Sequence, residues 1–132
     1  MSIINGWENR RKHMLNSEQI LEVVVKAADD KLAEDITVLD VRGLTTLGDY
    51  FVIMNGRNER QMGAIIGGVV DEAHKNNIEI KNQEGKDSGN WVLLDLADVV
   101  VHVFSSGERS YYNLEKLWSD APIVDISAMI SK

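Results

Sequence analysis

The strongest constraint on this chain is the run Trp91-Val-Leu-Leu-Asp-Leu-Ala-Asp-Val-Val-Val-His-Val-Phe104. Two apolar segments rich in β-branched residues meet at Asp95-Leu-Ala-Asp98, a connection short enough for a hairpin. Antiparallel pairing of Trp91–Asp95 with Val99–Phe104 is the simplest outcome. Side chains alternate across a strand, so Val99, Val101 and Val103 share one face and His102 points to the other.

A lone hairpin does not fold by itself, and the rest of the chain supplies partners for it. Tyr50-Phe-Val-Ile-Met54 is a continuous apolar run, which suits a strand covered on both faces, and Asn55-Gly56 ends it. Ile36–Val41 reads as a further strand and Ile78–Lys81 as a short, half-polar one. Gly43–Gly48 supplies turn chemistry, and Gln83–Asn90 reads as a polar loop.

Two helices interleave with these strands. Asn16 caps the first, with Gln19 at the capping-box position, and Ile20, Leu21, Val24, Val25, Ala28 and Leu32 form its apolar stripe. Asn58 caps the second, again with Gln61 three residues on. Its stripe is Met62, Ile65, Ile66, Val69, Val70 and Ala73. Gly63, Gly67 and Gly68 cost roughly 1 kcal/mol each against alanine in a helix. Close approach to a neighbour and plain tolerance both explain them. Asn76-Asn77 stops the helix, and Tyr112–Trp118 reads as a last short one. The order is helix, strand, strand, helix, three strands, short helix. It predicts an α/β (α+β) fold with a mixed, about five-stranded sheet flanked by helices.

Composition narrows the function. A length of 132 residues, 44% hydrophobic and 27% charged, suits one globular domain. Residues 1–15 read as a flexible extension, in which Met14 is a second candidate start, and residues 127–132 as a flexible tail. No apolar run approaches a membrane span, and Met1–Met14 lacks a secretory apolar segment. With no cysteine the chain forms no disulfide, which fits a cytoplasmic location. The net charge is −7; setting aside Arg10, Arg11, Lys12 and Glu8 leaves eleven basic against twenty acidic residues from Met14 onward. So acidic a body disfavours extensive direct contact with nucleic acid and favours a basic protein partner.

Candidate chemistry is sparse. Asp95 and Asp98 can face one cation, stabilise their own turn or contact a partner. Gly56-Arg57-Asn58 is either an anion-holding turn or a tight entry to a capped helix. Ser88, Ser105, Ser106 and Ser110 lack a histidine arrangement that would activate them. His13 and His74 read as solvated, and His102 as either a surface residue or a half-buried one. Trp118 follows Leu114 at helical spacing and reads as a core anchor. Trp91 opens a strand after a polar loop, where an aromatic can stay partly open to a partner.

Several segments in unbroken order then carry a resemblance. They are Leu39-Asp-Val-Arg-Gly-Leu-Thr-Thr46, Asp49-Tyr-Phe-Val-Ile53, Arg60-Gln61, Glu84-Gly85, Asp87-Ser88, Trp91-Val-Leu-Leu-Asp95, Asp98-Val-Val-Val-His-Val103 and Tyr112-Asn-Leu-Glu-Lys-Leu-Trp-Ser-Asp-Ala-Pro122. Over about residues 16–126 the chain resembles the ribosomal silencing factors of the RsfS/Iojap family.

That resemblance implies a shape like a nucleotidyltransferase without its activity, no cofactor and no metal. It implies binding to the large ribosomal subunit through that subunit's fourteenth protein. Occupying that surface blocks joining with the small subunit and represses translation. The partner surface it implies centres on Trp91, Asp95, Leu96, Asp98 and His102, with Glu84 and Gly85 nearby and Arg109, Tyr112 and Lys116 at the rim. Two other readings stay open: a metal-dependent nucleotidyltransferase-like enzyme, and a homodimeric scaffold that pairs through the same edge. The chain departs from the family pattern at Ala97, where glycine is usual, and at Gly56-Arg57-Asn58, where glycine is usually followed by small hydroxyl residues. An alanine at a position needing positive φ would be strained.

Overall fold

The computed structural model describes residues 15–85 and 89–130. Most of the expected N-terminal extension, the Asp87-Ser88 pair and the last two residues of the expected tail lie outside them. Helix α1 (Ser17–Asp30) starts at the expected capping box: Asn16 Oδ1 accepts from the Gln19 N–H at 2.8 Å, and Gln19 Oε1 accepts from the Asn16 N–H at 2.9 Å. It buries Ile20, Leu21, Val24, Val25, Ala27 and Ala28.

Leu32 is not part of this stripe. The helix closes with the Leu32 N–H on the Asp29 carbonyl and the Ala33 N–H on the Ala28 carbonyl, a Schellman ending that puts Leu32 at φ +64° and in solvent. Glycine or asparagine usually fills that position, so a leucine there gives no stop signal in the sequence. The second helix, α2 (Glu59–Lys75), ends the same way, and there Asn77 at φ +59° does announce it.

Strands β1 (Glu34–Asp40), β2 (Tyr50–Gly56), β3 (Asn82–Glu84), β4 (Trp91–Asp95) and β5 (Val99–Ser105) form one sheet in the order β1-β2-β5-β4-β3. Only β2 and β5 run parallel, joined by the crossover through α2; the other neighbours are antiparallel. β4 and β5 make the expected hairpin. β2 is buried along its whole length, as its unbroken apolar run demands.

The third strand falls later than Ile78–Lys81. Ile78 is spent on the Schellman ending of α2, donating to the Ala73 carbonyl, and pairing with β4 begins only where the Lys81 N–H meets the Asp95 carbonyl. The strand therefore occupies the start of the expected polar loop. The last helix is in fact two, α3 (Glu108–Tyr112) and α4 (Leu114–Leu117), broken where Asn113 turns left-handed at φ +50°.

The alternation of side chains divides the core into two layers. Under α1 and α2 lie Val38, Tyr50, Val52, Met54, Val92, Leu94, Val99, Val101 and Val103, all buried. On the opposite face, Leu39, Val41, Phe51, Ile53, Val100 and Phe104 are covered by Leu114, Ala121 and Trp118. Within residues 127–130, Met129 and Ile130 rest half-buried on the first layer. At one margin of the sheet, residues 122–124 cap the outer edge of β1: the Asp40 N–H reaches the Pro122 carbonyl and the Val124 N–H the Val38 carbonyl.

Candidate partner-binding surface

The second face is less completely covered toward β4 and β3. Trp91 and Leu93 remain half-buried there, and the pairing register puts Glu84 beside Leu93 and Asn82 beside Asp95. Strand parity gives all of these side chains the same face. Glu84, Gly85, Trp91 and Leu93 line a shallow hollow of about 240 Å³. Gly85 is needed for its backbone: at φ +81° any side chain on it would run into the Trp91 carbonyl. Leu93 was not singled out in the sequence, although its parity with Trp91 and Asp95 was there to read.

Trp91 is gripped rather than loose. Its ring stacks on Phe104 at a 5.0 Å centroid distance and meets the half-exposed Tyr112 at 4.6 Å. Its Nε1–H donates to His102 Nδ1 at 3.2 Å. His102 does point away from the valines, as its parity requires, but it is only 6% exposed and belongs to the layer beneath the surface. Burial holds its imidazole neutral, with a pKa pushed down to about 4. A neutral ring that accepts at Nδ1 must carry its proton on Nε2, and that buried nitrogen has no hydrogen-bond partner. An unmatched buried polar atom typically costs about 1–3 kcal/mol.

The acidic turn is tightly built. Asp95 Oδ1 accepts from the Ala97 N–H at 2.8 Å, leaving its second oxygen for a partner. Asp98 is exposed, while its carbonyl accepts from the Asp49 and Tyr50 N–H groups and so stitches the turn to the start of β2. Ala97 sits at φ +70°, the strained conformation that glycine would relieve. Leu96 is buried among the helix-side core, so it supports the turn from below and shows no side chain to a partner. Among the described residues no group of three or more His, Asp or Glu gathers as a metal cage.

Arg109 belongs to the architecture. Its guanidinium pairs with Glu115 at 2.7 Å and donates to Asn55 Oδ1 at 3.0 Å, Thr37 Oγ1 at 2.9 Å and the Asp35 carbonyl. With the Nε contact to Glu115, all five of its N–H donors are occupied. A polar depression of about 740 Å³ surrounds it, but its one cation is fully committed and Glu34, Asp35 and Glu115 line the same walls. Tyr112 and Lys116 are exposed where the rim was expected.

The Gly56-Arg57-Asn58 turn is a helix entry. Asn58 Oδ1 caps the Gln61 N–H at 2.9 Å, but the Gln61 side chain does not return to Asn58 as a capping box would. Its oxygen takes the Arg57 N–H at 2.6 Å and its nitrogen donates to the Leu32 carbonyl at 2.8 Å, tying the exit of α1 to the entry of α2. Of the three helical glycines, Gly68 marks a close approach, since a Cβ there would press on the Lys31 side chain; Gly63 and Gly67 face open space.

Comparison with known proteins adds a direct line. The sequence profile of the family described as "Ribosomal silencing factor during starvation" (RsfS) matches residues 14–132. A Bacillus subtilis protein named Ribosomal silencing factor RsfS is 51% identical over 112 residues, covering 85% of this chain and 95% of that one. A crystal structure from Bacillus halodurans superposes with a TM-score of 0.74 at 45% identity, over 82% of this chain and 98% of that chain. More distantly, the mouse protein named Mitochondrial assembly of ribosomal large subunit protein 1 is 29% identical over 116 residues, 84% of this chain and 50% of that one.

Proposed function

This chain belongs to the ribosomal silencing factor family, and from that premise we propose how it silences: the margin bearing Trp91, Leu93, Glu84 and Asp95 seats it on the large ribosomal subunit, through that subunit's fourteenth protein. Bound there, its bulk occupies space that the small subunit needs, and translation falls by exclusion without a chemical step. The observation that carries this reading is the pairing of a half-open aromatic and leucine with carboxylates on one sheet face.

An aromatic in a partly desolvated hollow is the usual kind of interface anchor, often contributing about 2 kcal/mol or more. Glu84, Asp95 and Asp98 complement basic side chains, which sets orientation and raises the association rate. The overall charge of −7 argues in the same direction, toward protein and away from exposed phosphate. The mouse relative's name ties that protein to the large subunit, which supports the choice of subunit here. The family likeness leads us to place the protein with ribosomes, in the cytoplasm; no helix among the described residues is long and apolar enough to cross a membrane.

The test is sedimentation with purified subunits. The wild-type protein should travel with large subunits and lower the yield of joined particles when small subunits are added. Trp91→Ala should stay near the top of the gradient and leave joining intact. Undiminished joining at saturating wild-type protein would sink the exclusion mechanism.

A further inference from the structure

We propose that His102 is a positioning residue that fixes the Trp91 indole in one orientation on the sheet, presetting the docking anchor before the partner arrives. The inference rests on the reading of this face as the docking surface.

Phe104, Tyr112 and His102 each hold the indole, and they do different things. Phe104 and Tyr112 contact the ring and define its plane. Flat aromatic contacts are tolerant of which ring edge points where, so a half-turn about the last side-chain torsion keeps much of that packing. The hydrogen bond is not tolerant. Tryptophan has one polar atom and it only donates, so the acceptor at His102 Nδ1 selects the orientation that brings Nε1–H inward. The register makes this reach possible: Trp91 stands opposite Phe104, and His102 is its diagonal neighbour two residues back along β5.

The same histidine serves the fold badly. Its neighbours on this layer are Phe51, Ile53, Val100 and Phe104, and its own Nε2 is buried without a partner. A phenylalanine, slightly larger, would remove the unmatched Nε2 and with it the acceptor of the Trp91 N–H, which the half-buried indole would then have to offer to water. A residue that breaks a local rule without a gain in packing marks a place where function sets the choice. The gain here is preorganisation: an anchor already held in its bound orientation loses less freedom on binding.

Full-length wild type, His102→Phe, His102→Asn and Trp91→Ala are compared in three measurements: sedimentation with purified large subunits, thermal melting, and the indole N–H signals of nitrogen-15-labelled protein, with Trp91 identified by its loss in Trp91→Ala. In His102→Phe the melting temperature should hold or rise at neutral pH. Its Trp91 N–H should shift and exchange faster with solvent, and its Kd should rise about tenfold, equivalent to about 1.4 kcal/mol. In His102→Asn the side-chain oxygen lies near the former Nδ1, so both N–H protection and most of the affinity should return.

Wild-type affinity in His102→Phe, with Trp91→Ala still released, would overturn the positioning role and leave the docking face standing. Wild-type affinity in Trp91→Ala would instead overturn the docking reading itself. If His102→Phe does not fold, His102→Asn decides: a protected N–H with wild-type affinity supports the proposal, and a protected N–H with lost affinity overturns it.

Discussion

The two faces of the sheet are built to different standards. Beneath α1 and α2, Val52, Met54, Leu94, Val99, Val101 and Val103 have no measurable exposure, and the one polar β5 residue of their parity is Ser105 at the strand's end. On the other face the same strands present His102 and Asn55, and the cover stops short of Trp91 and Leu93. One layer is closed over its centre, with an open groove of about 640 Å³ left where Ile66, Val70 and Val92 approach Gln83 and Gly89. The other is packed only as far as the Leu114, Trp118 and Ala121 segment reaches. Under the proposed function, recognition falls to the less completely covered face, whose β5 side chains Val100 and Phe104 also serve the core.

Mutations should separate the two roles, beginning with the largest effect. Leu94→Ala hollows the helix-side layer and should lower unfolding free energy by about 2–5 kcal/mol, read by denaturant melts. Ribosome binding by the fraction still folded should be unchanged. A variant that folds normally but no longer binds would erase the distinction between the faces.

Acid should discriminate next. The unfolded chain protonates His102 near pH 6.5, whereas the folded protein resists until about pH 4. Between those values the unfolded state holds the extra proton, so stability falls as pH drops across that window. A shift of that size corresponds to roughly 3 kcal/mol. The difference between wild type and His102→Phe, measured from pH 7 to pH 4, isolates this contribution from the carboxylates. A constant difference would show that the imidazole titrates alike in the folded and unfolded chain, as a solvated ring does. Smaller again, Trp91→Ala should weaken large-subunit binding by about 2 kcal/mol or more in a competition sedimentation assay.

How far the sequence announced each face follows from the kind of signal involved. Parity and caps are local, so the β4–β5 hairpin, the buried β2, the Asn16 capping box and the direction of His102 were all legible. Leu32 was not, because the left-handed helix exit it occupies is normally flagged by glycine or asparagine. The break at Asn113 was missed although asparagine does tolerate that conformation, since the apolar spacing from Leu114 to Trp118 masked it. Site residues divided in the same way. Resemblance named Leu96, His102 and Arg109 as contacts, but burial and the five filled donors of Arg109 depend on which distant segments meet. A one-dimensional pattern carries no record of that.

The finest test of the comparison lies at the hairpin tip, where the two layers meet between Leu96 and Asp98. Ala97 holds φ +70° because the turn must bring its N–H onto Asp95 Oδ1 while Leu96 turns inward and Asp98 outward. A left-handed backbone disfavours any residue with a Cβ by roughly 1–2 kcal/mol, and glycine escapes that at the cost of a more flexible unfolded chain. Ala97→Gly should therefore raise unfolding free energy by about 1 kcal/mol, seen as a higher denaturant midpoint at unchanged slope. Gly48 provides the control, because a Cβ there would press on the Ala97 carbonyl at 3.2 Å; Gly48→Ala should destabilise the same turn from the other side. Both substitutions leave Trp91 and His102 untouched. If Ala97→Gly stabilises the fold and also weakens ribosome binding, the alanine is stiffening the carboxylates for their partner, and the strain belongs to recognition rather than to the fold.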